Sequence, residues 1–208
     1  MKRGMSGAVG RAWRTAAMIA VLAVMAGAAR AEETPATGDF NREGGFLGAN
    51  ATAFVPAFQD AAGEADFGAS AGFGLRGGYR YNEIFATEAL YEFAADFGAD
   101  FGADADNASA RYRSQSFTVS GRLIVPWSSF QPWLSGGIGF ARGNLRVYGS
   151  PELEGSAATS FAGRIAAGID VPLTGNIGLF VEAAYLLPTR DLGAFQIFGA
   201  GAGVKIVF

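Results

Sequence analysis

In AFQIFGAGAGVKIVF, residues 194–208, Phe198, Ala200, Ala202, Val204, Ile206 and Phe208 share one parity, and Gly199, Gly201, Gly203 and Lys205 the other. Side chains of an extended chain alternate between two faces, so the stretch reads as a β-strand with one apolar face. Most domains end in a poorly ordered tail. A chain that stops on a bulky Phe208 has a face to bury.

Seven earlier segments repeat the pattern. Residues 45–55 set Leu47, Ala49, Ala51, Ala53 and Val55 against Gly48, Asn50 and Thr52. Residues 68–81 set Ala69, Ala71, Phe73, Leu75 and Tyr79 against Ser70, Gly72, Gly74, Arg76, Gly78 and Arg80. In 84–93, Phe85, Ala89, Tyr91 and Phe93 alternate with Glu88 and Glu92. In 111–125, Phe117, Val119, Leu123 and Val125 oppose Ser116, Thr118, Ser120 and Arg122. Residues 132–142 set Leu134, Ile138 and Phe140 against Ser135, Gly137 and Gly139. Residues 159–171 set Phe161, Ile165, Ala167, Ile169 and Val171 against Ser160, Arg164, Gly168 and Asp170. In 177–187, Leu179, Val181, Ala183, Tyr185 and Leu187 oppose Glu182. Eight amphipathic strands follow.

The connections alternate in length. Segments 56–67, 95–110 and 143–157 are long, 81–83, 126–131 and 172–176 are short, and 188–193 closes the series. Long loops at one end and tight turns at the other characterise transmembrane barrels, whose tilted strands need only about 9–11 residues to cross. A soluble barrel or sandwich would reverse the faces, turning the charges to water. With Arg76, Glu88, Glu92, Arg122, Arg164, Asp170, Glu182 and Lys205 on the glycine- and serine-rich face, the pattern favours a closed polar interior. Buried charges are tolerable only when paired, so these eight are expected to form an ion-pair network. Aromatic residues near the segment ends, Tyr79, Tyr81, Phe93, Tyr112, Trp127, Trp133 and Tyr185, are expected in the interfacial girdles.

The N-terminus reads as an export signal: Lys2, Arg3, Arg11 and Arg14 precede the apolar run TAAMIAVLAVMAG, and Ala29-Arg30-Ala31 forms an A-x-A cleavage site. Residues 1–31 are thus a signal peptide, 32–44 a short polar lead-in and 45–208 the barrel. Cleavage removes five of the 16 basic residues and none of the 19 acidic ones, leaving a net charge of −8. That excludes nucleic acid as a natural partner, since it demands clustered Lys and Arg.

The chain has no cysteine and no histidine. Disulfides and thiolate metal sites are therefore excluded, and the usual general base and commonest metal ligand are missing. Residues 72–77, GFGLRG, match the dinucleotide fingerprint only in letters, because no helix follows the strand that contains them. The acidic run with Asp96, Asp100, Asp104 and Asp106 fails the calcium-loop pattern at Ser109 and Gln115. No G-x-S-x-G element is present. No catalytic residue, cofactor or metal is expected.

The cleavable signal, the alternating strands and the terminal aromatic of VKIVF together resemble the small outer-membrane β-barrels of Gram-negative bacteria, the OmpA-like and porin-family eight-stranded barrels. The resemblance covers residues 45–208 and implies an all-β fold, an eight-stranded antiparallel up-and-down transmembrane β-barrel preceded by a cleaved signal peptide. It further implies that Phe198, Val204, Ile206 and Phe208 serve as the signal read by the barrel-assembly machinery. Nothing follows Phe208, so no periplasmic peptidoglycan-binding domain is implied. Outer-membrane lipid and lipopolysaccharide are the expected surroundings, with Arg111, Arg113, Arg142, Arg146 and Arg190 placed to meet lipopolysaccharide phosphates at the outer rim. The function expected is a non-enzymatic barrel with a filled lumen, serving envelope integrity or surface interaction through acidic loops. A narrow porin-like channel and a surface adhesin or ligand-binding protein are the alternatives.

Overall fold

The computed structural model describes residues 40–57, 68–100, 109–127, 129–148, 156–189, 192–193 and 195–208. Eight strands form, β1 (Gly44–Pro56), β2 (Ser70–Arg80), β3 (Phe85–Asp100), β4 (Ser109–Ile124), β5 (Gln131–Tyr148), β6 (Ser156–Pro172), β7 (Ile177–Pro188) and β8 (Ile197–Val207). Each pairs antiparallel with its sequence neighbours, and β8 returns to β1 to close the barrel. The closing seam runs from Phe46 opposite Val207 to Pro56 opposite Ile197. Closure leaves no unpaired edge.

Outward positions expose a continuous apolar belt, including Leu75, Phe117, Val119, Leu134, Ile138, Phe140, Ile165, Leu179, Val204 and Ile206. No helix among the described residues is long and apolar enough to cross a membrane. Inward positions carry glycine, serine, threonine and the charges. Gly168 shows why small residues are needed there. A Cβ at that position would lie 2.4 Å from the ring of Trp133 and 2.4 Å from the Val181 carbonyl.

The barrel is taller on one side. Strands β3 to β6 run 16 to 18 residues, whereas β1, β2, β7 and β8 run 11 to 13. Much of the expected loops 95–110 and 143–157 is therefore strand. Phe97 pairs with Tyr112 and Gly98 with Arg111, while Asn144 pairs with Ala157. The ladder continues above the belt because backbone pairing does not depend on the apolar pattern that reveals a strand in the sequence.

A β-bulge between Ala94 and Phe97 shifts the register of β3 against β4. Glu92 and Ala94 face inward, so Asp96 would follow them on strict alternation; the bulge instead turns Phe97 into the interior. Bulges re-aim side chains in this way.

Residues 40–44, the end of the short polar lead-in, dock at the short-turn end of the barrel. Phe40 is buried inside the short-turn end, Gln131 Nε2 donates to Asn41 Oδ1, and Arg42 reaches the Val207 carbonyl at 3.3 Å. An aromatic ring beside a cation and apolar walls explains the docking: Lys205 Nζ lies 4.7 Å from the Phe40 ring centre. Gly44 then enters the barrel at φ +154°, where a Cβ would meet the Phe208 carbonyl oxygen at 2.5 Å.

Candidate functional site

The interior is layered along the barrel axis. At the long-loop end Phe54, Phe97, Tyr112, Leu186, Leu192 and Ile197 form an apolar cluster. At the short-turn end Phe40, Phe46, Ile124, Trp133 and Val207 form a second. Between them lies the charged layer.

The eight charges expected to pair join one unbranched chain of alternating sign, Glu92, Arg164, Glu182, Arg76, Glu88, Arg122, Asp170, Lys205. Arg164 Nε donates to Glu92 at 3.0 Å and Arg164 Nη2 to Glu182 at 3.3 Å. Arg76 donates to Glu182 at 2.6 Å and to Glu88 at 3.4 Å. Arg122 continues to Glu88 at 2.8 Å and to Asp170 at 3.3 Å, and Lys205 donates to Asp170. Four of the seven links span strands that are not neighbours: β3 to β6, β7 to β2, β4 to β6 and β6 to β8. The chain thus crosses the lumen as well as descending it. Within this chain four cations balance four anions, which offsets the cost of burial in a low dielectric.

Aromatic rings hold the guanidiniums in place. Arg122 Cζ lies 3.8 Å from the Trp133 ring centre, and Arg76 Cζ lies 4.2 Å from that of Phe180. Trp133 also donates Nε1–H to Asp170 at 3.0 Å.

Three further inward residues, left out of the expected network, line the interior. Arg80 is buried and donates to Gln131 Oε1 at 2.9 Å and to the carbonyls of Asn82 and Glu83, pinning the β2–β3 turn from inside. Its parity with Arg76 was the available signal. Trp133 and Tyr112, expected in the interfacial girdles, lie inside instead. Each shares parity with inward serines, Ser135 and Ser114, and each finds aromatic or ionic partners there; Tyr112 stacks on Phe195 at 4.8 Å. Tyr79, Tyr81 and Trp127 do face outward, with Tyr79 and Tyr81 packed at 5.2 Å.

Phe198, Val204, Ile206 and Phe208 all point outward, three along β8 and Phe208 just past its end. Arg111, Arg113, Arg142 and Arg146 lie exposed on β4 and β5 above the belt; Arg190 lies outside the described residues. Asp96 of the acidic run accepts from Arg113 Nε at 2.8 Å, whereas Asp104 and Asp106 lie outside the described residues. No group of three or more acidic side chains placed to hold a metal occurs among the described residues.

A closed antiparallel barrel with an apolar exterior and a paired polar interior is the transmembrane barrel of an outer membrane. The family model described as outer membrane protein beta-barrel domain matches residues 15–205, and the chain belongs to that family of Gram-negative outer-membrane proteins. A search of curated proteins finds no match. Among solved structures it is similar to Neisserial surface protein A, at 19% identity and a TM-score of 0.58 over 79% of this chain and 97% of that one. It is also similar to the attachment invasion locus protein Ail of Yersinia pestis, solved with the heparin analogue sucrose octasulfate, at 12% identity and a TM-score of 0.51 over 80% and 97%. The N-terminal barrel domain of Pseudomonas aeruginosa OprF matches at 14% identity and a TM-score of 0.50 over 80% and 100%.

Proposed function

We propose that the chain is a non-enzymatic, non-conducting outer-membrane barrel that supports envelope integrity and presents its acidic long-loop segments at the cell surface. The observation that carries this reading is the charged chain closed above and below by apolar clusters. Phe97, Tyr112 and Leu186 pack across the lumen at one end and Phe40 and Trp133 at the other, which supports a barrel that does not conduct. The lack of histidine supports the non-enzymatic part, since the commonest acid–base group is missing from the whole chain.

Assembly is proposed to begin at β8, whose outward Phe198, Val204 and Ile206, with the terminal Phe208, form the segment engaged by the barrel-assembly machinery before the seam with β1 closes. The test of the closed lumen is single-channel recording of barrel purified from outer membranes, with liposome swelling as a second measure. No stable conductance steps and no sugar-dependent swelling are expected. Reproducible steps would overturn the closed-lumen reading and favour a narrow pore.

A further inference from the structure

Seven seams of the barrel join strands that are consecutive in the chain; the eighth, β8 to β1, joins strands that no turn connects. At the short-turn end, segments 81–84, 125–130 and 173–176 tie β2 to β3, β4 to β5 and β6 to β7. β8 ends and β1 begins at that same end, where Val207 stands opposite Phe46. A turn keeps two strand ends together at little entropic cost. Without one, the last hydrogen bonds of a seam are the first to open.

Residues 40–45 lie where that turn would be. Phe40 is the single aromatic residue in 32–44, and it packs in a cluster drawn from six strands, with Phe46, Ala86, Ile124, Trp133, Ala166 and Val207. β7 makes room for it, since a Cβ on Gly178 would lie 2.5 Å from Cζ of the ring. Asn41 accepts from Gln131, which Arg80 holds from β2. Arg42 Nη2 and Asn176 Nδ2 donate to one carbonyl, that of Val207, at 3.3 and 3.0 Å. The Phe208 amide then donates to the Gly45 carbonyl at 2.9 Å. The seat of Phe40 takes walls from both β1 and β8, so it is complete only once those strands have met. The ring itself sits on a segment outside the sheet, and its neighbour Arg42 grips the seam.

We propose that residues 40–45 are a closure latch: they dock after β8 pairs with β1 and hold the short-turn end of that seam shut in place of a turn. The latch depends on barrel closure alone, so neither the role of β8 in assembly nor the conductance of the lumen bears on it.

The test is amide hydrogen exchange, followed by nuclear magnetic resonance, on the full barrel folded in detergent micelles. Phe40→Ala is expected to speed exchange of the Phe208 amide at least about tenfold. The Tyr81 amide, which donates to the Phe85 carbonyl across a covalent turn at the same end, should change less than about twofold. Amides around the Phe54–Gly199 pairing, at the far end of the same seam, should be equally indifferent. Arg42→Ala keeps the ring and should speed exchange at Phe208 about threefold, again without moving Tyr81. An unchanged Phe208 amide in either folded variant would overturn the latch. So would equal acceleration at Phe208 and Tyr81, which would make Phe40 an ordinary core residue. If Phe40→Ala does not fold, Arg42→Ala decides the matter.

Discussion

Arg76 and Arg113 each hold a carboxylate at nearly the same distance, 2.6 Å to Glu182 in the lumen and 2.8 Å to Asp96 on the outer wall. The lumen pair is shielded almost completely, whereas Arg113 and Asp96 leave 46% and 32% of their side chains exposed. Coulomb attraction scales inversely with the effective dielectric, so equal contacts have unequal worth. Inside, losing one partner leaves a charge with no water to take over; outside, solvent does so at once.

Replacing Glu182 by Leu takes one of two anions from each of Arg76 and Arg164, leaves the chain one buried cation in excess and is expected to cost about 3–5 kcal/mol. Urea titration of folding into lipid vesicles, read by the gel shift of the folded band, measures it. A cost near that of an exposed pair would erase the contrast between lumen and wall.

The outer face has its own rule, since it tolerates Arg142 but should reject a charge four residues deeper. Ile138, 61% exposed within the belt, is expected to cost about 2–4 kcal/mol when replaced by Arg, in the same vesicle assay. Gly168→Val crowds Trp133 and the Val181 carbonyl, with an expected loss of about 1–3 kcal/mol. Near-ultraviolet circular dichroism should report the displaced indole. Arg113→Ala should change stability by no more than about 1 kcal/mol, an effect that fades as salt is raised.

The strands were legible because each one separates two solvents, lipid outside and a filled polar lumen inside, so period-two alternation survives along the belt. The inward parity of Arg76, Arg122, Arg164 and Lys205 could be read for the same reason. Trp133 and Tyr112 were misplaced because a position near a strand end says less about an aromatic than its parity does. The order of the ion pairs was not readable at all, since Glu92 reaching Arg164 depends on which strands face each other across a closed barrel. Nor was the bulge at Ala94/Phe97, which looks in the sequence like one more pair of alternating residues.

Glu182, Glu88 and Asp170 each serve two cations, and Arg76, Arg122 and Arg164 each serve two anions. Inheritance is constrained accordingly. A lineage that neutralises Glu182 must repair Arg76 and Arg164 at once, and each repair exposes the next link. Descendants of this barrel should therefore keep the inner alphabet whole or rewrite it in blocks, while Arg113 and Asp96 drift one letter at a time.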